Sequence, residues 1–146
     1  EPPAAAVFGE VMCSTYKAFG SAGLVTNGAG RDIEQVRAIQ YPIFTGSTIC
    51  SHGYCHILHL GLPVRIGGLM VNNGELLHGD SNGVTSIPLE IADEIPQVCE
   101  EFAAAEEPML TYLKSSGEKS QSRYDELRKG FQATVAKMQA RVTRKK

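Results

Sequence analysis

The sequence has no tryptophan and only four cysteines, Cys13, Cys50, Cys55 and Cys99, scattered over 146 residues. So sparse a set does not staple a small secreted domain, and free, mostly buried thiols in a reducing cytoplasm are expected. Long apolar runs are missing as well. None approaches the ~18 residues that a membrane span requires, so no membrane partner is expected. Glu1-Pro2-Pro3-Ala4 carries neither the positive charge nor the apolar segment of a secretory leader. Net charge is nearly absent at −2, but that mean conceals a split. Residues 118–146 hold nine Lys/Arg against Glu118, Asp125 and Glu126, whereas residues 1–117 hold five basic and thirteen acidic side chains. An acidic body therefore carries a basic tail.

What is present is the composition of a globular chain, 42% apolar with 15 glycines, and of a length that suits one domain. Over residues 5–19, Phe8, Val11, Met12, Tyr16 and Phe19 recur at spacings of three and four, which predicts an amphipathic helix with no strand before it. Leu24-Val25-Thr26 reads as a short strand, and Asn27-Gly28-Ala29-Gly30 as a turn. Asp32 is placed to cap a short helix through Ile39, with Ile33 and Val36 inward, and residues 41–44 form the next strand. The unit is βαβ, hence a parallel pair. Residues 54–60, 63–66, 69–71, 76–78 and 84–87 read as further short strands, with Asn73-Gly74 as a hairpin signal. Helices resume at Pro88, where Pro96 demands a kink or break. From Ser120 a last helix carries Tyr124, Leu127, Phe131, Val135, Met138 and Val142 as one stripe.

Two tempting patterns lead nowhere. Cys50, His52, Cys55, His56 and His59 include zinc-type ligands, but without a Cys-x2-Cys pair, and His56 and His59 would face opposite sides of a strand. His52 is the best of them to line a pocket. Asn27-Gly28-Ala29-Gly30 begins like a dinucleotide fingerprint, yet Ile33 stands where the third glycine belongs.

The informative stretch runs from Phe8-Gly9-Glu10 to Arg31-Asp32. Alone, Asp32 is a helix cap, Arg31 a surface residue and Glu10 an acid suited to a helix N-terminus. Together they place a cation and a carboxylate beside a Gly-rich turn entering a helix, a setting for an anion and a metal in one small site. Glu10, twenty intervening residues and Arg31-Asp32 resemble the acid-x20-Arg-Asp motif of the RraA-like family and its aldolases. Pro63-Val64-Arg65-Ile66-Gly67-Gly68-Leu69-Met70-Val71, then Gly79-Asp80-Ser81-Asn82-Gly83-Val84, resembles a second block of that family in the same order. The resemblance covers about residues 7–105.

The resemblance implies a swivelling β/β/α domain of the α/β class, with C-terminal helices and with the N-terminal part of the domain absent from this chain. It divides the chain into a catalytic core over residues 1–107 and a basic helical extension over 108–146. It implies a homotrimer or hexamer with its active site between subunits, and Mg²⁺ or Mn²⁺ as cofactor. The activity implied is a pyruvate-releasing lyase, a class II 4-hydroxy-4-methyl-2-oxoglutarate aldolase or oxaloacetate decarboxylase acting on a small 2-keto acid. On that transfer Asp32 anchors the metal, Arg31 pairs with the substrate carboxylate and enolate, and Glu10 accepts the C4 hydroxyl proton through water. Asn27 and Gly28 join Arg31 in substrate binding. The sequence departs from the family pattern at Asn27 and Gln35, where acids are common, and at Asn73-Gly74-Glu75, where Pro-Gly-Asp is usual. The alternative is a non-enzymatic regulator that binds a ribonuclease or other protein, as some members do, and an acid at position 10 favours the lyase over it. Nucleic acid is not an expected partner, because the tail's charges surround a helical stripe rather than interleave with aromatics.

Overall fold

A computed structural model describes residues 4–143, and it divides into two compact units, the first ending at Ile87 and the second beginning at Pro88. The first unit is built on three parallel strands in the order β1 (Ala6–Phe8), β2 (Leu24–Gly30), β3 (Ile43–Thr48). Helix α1 (Glu10–Ala18) connects β1 to β2, and α2 (Ile33–Ala38) connects β2 to β3. Phe8, Cys13, Val36 and Tyr41 form the buried cluster under these helices, with Leu24, Ile33, Ile39 and Ile43 packed against it.

Several sequence expectations are corrected here. The N-terminal helix starts at Glu10, and a strand does precede it, because Ala6 and Phe8 alternate inward with Val7 outward. The stripe Val11, Met12, Tyr16, Phe19 is not the inward face; Val11 and Phe19 are 79% and 89% exposed, and the helix buries Cys13 instead. Nor do residues 27–30 form a turn. They continue β2, whose pairing with β3 shifts register between Thr26 and Ala29. Glycine there serves close approach: a Cβ on Gly28 would stand 2.5 Å from Val7, and one on Gly46 would stand 2.5 Å from the Asn27 carbonyl.

Two antiparallel hairpins follow, β4 (Val64–Ile66) with β5 (Leu69–Val71) and β6 (Leu76–Asp80) with β7 (Gly83–Ile87). Gly67 and Gly68, at φ 55° and 90°, make the first turn, a pair of positive-φ positions that tight hairpins favour. Asn73-Gly74 is not a hairpin turn between paired strands. It links β5 to β6, which lie in separate sheets, and the Glu75 carboxylate closes that link by accepting from the Asn72 backbone and side-chain amides. Residues 54–60 form no strand, and Tyr54, Ile57, Leu58 and Leu60 are more than 80% exposed. The thiols are free as expected, but only Cys13 is buried; Cys50, Cys55 and Cys99 are exposed.

The second unit is a helical hairpin. A 3₁₀ turn (Leu89–Glu94) leads into α3 (Ile95–Lys114), so Pro96 falls in the first helical turn, where no backbone donor is needed. Helix α4 (Gln121–Val142) starts on Ser120, whose hydroxyl accepts from the Arg123 amide. Its apolar stripe does turn inward: Met138 is buried, and Phe131 meets Phe102 edge to face with ring centroids 5.3 Å apart. Arg141 grips Glu101 with two bonds of 3.1 and 2.9 Å. The charge of Arg141 in the basic tail is thus matched by an acid of α3.

Candidate active site

The ends of β1 and β2 bring together the two halves of the acid-x20-Arg-Asp pattern. The strands are parallel neighbours, so the residue after each strand leaves the sheet on the same edge. The Arg31 amide donates to the Phe8 carbonyl at 3.2 Å, which carries the pairing one step past β2. Gly30 makes room for this, because a Cβ there would stand 2.1 Å from the Phe8 ring.

Asp32 then turns sharply, with φ 58° and ψ 37°. Left-handed backbone costs an ordinary residue about 1–2 kcal/mol, and Asp is among the few that visit it routinely. The expected cap on α2 is not made by its side chain. The carboxylate reaches across to the other helix, where Oδ2 accepts from the Glu10 amide at 3.1 Å, while the Asp32 carbonyl accepts from Val36. Asp32 therefore caps α1, whose own N-cap, Gly9, has no side chain to do so. An anion at that position also meets the positive end of the α1 dipole.

Arg31 lies alongside, its Nε 3.8 Å from Asp32 Oδ2, and both side chains are a little over one third exposed. At that distance and exposure the pair contributes at most about 1 kcal/mol, so it orients the guanidinium more than it stabilises the fold. The Glu10 side chain is exposed, at the edge of a shallow depression shared with Val11, Ser14 and Phe19. The Glu10 backbone, Arg31 and Asp32 thus adjoin within two connected turns, while the Glu10 side chain faces the depression on α1.

Asn27 and Gly28 are employed elsewhere. The Asn27 amide donates to the Arg65 carbonyl at 2.9 Å, and its oxygen accepts from the Gly67 amide at 2.6 Å, pinning the β4–β5 turn to β2. Gly28 lies against Val7, and its carbonyl accepts from Thr45. Asn27 borders an apolar groove of about 290 Å³ with Val25, Phe44, Ile66 and Val84, and none of Glu10, Arg31 and Asp32 lines it. His52 is exposed and bridges to β1 at Ala6.

Among the described residues, the acids with clearly displaced pKa values are Asp80, at the β6–β7 turn, and Glu75, in the link between β5 and β6. The Asn82 backbone and side-chain amides, with His78 nearby, hold the Asp80 carboxyl below its ordinary range, and the Asn72 amides do the same for Glu75. Burial pushes the Cys13 thiol up.

One site residue escaped the sequence reading. Gly9 is buried between the two turns, and a Cβ on it would stand 2.6 Å from Asp32 Oδ2 and 3.1 Å from Arg31 Nε. Its only signal was a glycine directly before the acid that opens a helix.

The chain is 34% identical over 103 residues to a protein of Halalkalibacterium halodurans named "Putative 4-hydroxy-4-methyl-2-oxoglutarate aldolase", covering 70% of this chain and 49% of that one. It is 31% identical over 121 residues to Protein DlpA of Legionella pneumophila, covering 82% of this chain and 20% of that one. The chain therefore spans about half the length of the first relative and a fifth of the second. A crystal structure of a protein from Pseudomonas syringae pv. tomato superposes with a TM-score of 0.66 at 22% identity, over 86% of this chain and 61% of that one, a likeness of fold. The family model described as RraA-like, Aldolase/RraA, matches residues 1–85, and the chain belongs to that family.

Proposed function

We propose that this protein is a divalent-metal-dependent lyase that releases pyruvate from 4-carboxy-2-oxo acids, by retro-aldol cleavage or by decarboxylation of oxaloacetate. The observation that carries the reading is that the turns after β1 and β2 adjoin, with Arg31 beside Asp32 and the Asp32 carboxylate bound to the Glu10 amide. The name of the Halalkalibacterium halodurans relative supports it.

The donor set suits Mg²⁺ or Mn²⁺. Asp32 Oδ2 is taken by the Glu10 amide, which leaves Oδ1, a hard oxygen on a partly exposed carboxylate, to hold a cation. Among the described residues no three His, Cys, Asp or Glu side chains converge, so an ion at Asp32 would keep most of its waters or take oxygens from the substrate, as Mg²⁺ does readily. When bound, such an ion supplies Lewis-acid polarisation of the 2-oxo group. Arg31 binds the substrate carboxylate with its planar fork and stabilises negative charge growing on the neighbouring oxygen. Glu10, through a water, accepts the proton of the C4 hydroxyl in the aldol substrate. Decarboxylation needs no such base, because CO₂ leaves without a proton to remove.

The family resemblance carries the assembly: a homotrimer or hexamer, with the active site completed between subunits. The exposed apolar side chains of residues 54–62 support self-association. The test is pyruvate release from oxaloacetate and from 4-hydroxy-4-methyl-2-oxoglutarate, with Mg²⁺ and with EDTA, corrected for decarboxylation by the metal alone. Chelator-sensitive turnover is expected. A folded oligomer with no turnover above the metal blank would overturn the lyase and favour the protein-binding regulator.

A further inference from the structure

Gly9 stands against Arg31 and Asp32 and directly precedes Glu10, yet has no chemistry of its own. Its backbone, at φ −156° and ψ −168°, is extended, a conformation any residue adopts, so conformational freedom does not account for a glycine here. Space does. The point where a Cβ would stand lies 2.6 Å from Asp32 Oδ2, 3.1 Å from Arg31 Nε and 3.3 Å from Arg31 Cγ. All three are site atoms, and the first is the oxygen that holds the Glu10 amide. A methyl group would have to displace the carboxylate, the guanidinium or both, and the bond that joins Glu10 to Asp32 would go with the carboxylate.

We infer that Gly9 is a positioning residue: its bare Cα is the seat on which the Asp32 carboxylate and the Arg31 guanidinium rest, and it holds both in register with the first turn of α1. Its effect on catalysis rests on the lyase reading; its effect on geometry does not. Asp32 Oδ2 is bound to the first turn of α1, and Oδ1 is the oxygen that would hold a cation. Gly9 sets the carboxylate's tilt, and hence where a cation on Oδ1 stands relative to Glu10 and Arg31.

The test compares Gly9→Ala with Gly79→Ala. A Cβ at Gly79 would meet the Phe44 ring at 2.5 Å, a crowding as severe but against none of the site residues. In ¹⁵N-labelled full-length protein, Gly9→Ala is expected to speed hydrogen exchange of the Glu10 amide on the order of tenfold, to the rate seen in Asp32→Ala, through loss of a charge-assisted bond. Gly79→Ala should leave that amide unchanged. Binding of Mn²⁺, read by electron paramagnetic resonance, should weaken roughly 10- to 100-fold in Gly9→Ala, as when groups that orient a metal ligand are disturbed. Pyruvate release should fall with it, chiefly in kcat. Should Gly9→Ala fail to fold, the double variant Gly9→Ala/Asp32→Gly, which removes the crowded carboxylate, is expected to fold. A double variant as unstable as the single one would overturn the inference, as would Glu10 exchange in Gly9→Ala equal to wild type. Wild-type protein that neither binds Mn²⁺ nor releases pyruvate would overturn the lyase, while Glu10 exchange would still decide the role of Gly9.

Discussion

Three side chains have separable roles under the lyase reading, and substitution should separate them. Asp32→Ala and Arg31→Ala are each expected to abolish both pyruvate-releasing reactions. Asp32→Ala should also abolish Mn²⁺ binding, which Arg31→Ala should largely keep, and full activity in either would remove the assignment. Glu10→Ala should damage aldol cleavage by a factor of roughly 10² to 10⁴, the range of a general base. Decarboxylation by the same variant should change little; equal losses in the two rates would show that Glu10 is not the base. The recognition pattern itself was legible because it depends on count alone: twenty residues separate Glu10 from Arg31, and a parallel βαβ unit returns the chain to the same sheet edge. What the spacing did not reveal is which helix Asp32 serves. That depends on its left-handed backbone, which a sequence does not display, and on the empty place at Gly9.

At the scale of elements, local sequence signals give way where neighbouring strands decide. Asn27-Gly28-Ala29-Gly30 contains turn residues, yet it is sheet, and its glycines are there because Val7 and Phe8 lie too near Gly28 and Gly30 for side chains. The apolar stripe of α1 has the spacing of a core face, but the residue this helix buries is Cys13. The stripe of α4 was legible because another helix meets it, through Phe102, and a helix contact preserves the period of 3.6. The cap of α4 can be tested directly. Ser120→Ala should cost the second unit about 1 kcal/mol, measured by chemical denaturation. The β6–β7 turn should answer to pH. Asp80 has a lowered folded pKa, so its contribution to stability is present above the unfolded value of about 3.9 and is lost as pH falls through the lower folded value. Exchange of the Asn82 amide, which donates to Asp80 Oδ1 at 2.8 Å, should therefore accelerate below about pH 4 beyond its intrinsic dependence. An exchange profile following the intrinsic curve alone would show that this bond does not hold the turn.

For the molecule as a whole, the distribution of apolar surface is the strongest physical constraint on assembly. Tyr54, Ile57, Leu58 and Leu60 are 100%, 81%, 81% and 83% exposed, and Val11 and Phe19 add further apolar area. At about 25 cal/mol per Å² of apolar surface, side chains of this size each forfeit roughly 1.5–3 kcal/mol by staying in water. The trimer or hexamer proposed above would cover them with copies of the chain. The exposed cysteines provide the measurement, since Cys55 lies within the uncovered segment while Cys99 belongs to the second unit. In the proposed oligomer Cys99 should react promptly with an aromatic disulfide reagent. Cys13 should react only on unfolding, because it is fully buried and its thiol pKa is raised. Cys55 should be slow at high protein concentration and fast on dilution below the assembly constant. Ile57→Glu should lower the mass measured by light scattering to that of one chain and release Cys55 to fast reaction at every concentration. Pyruvate release should fall in the same variant if the site is completed between subunits. Fast Cys55 reaction in a wild-type trimer would mean that residues 54–62 stay in water there, and that the subunits join through another face.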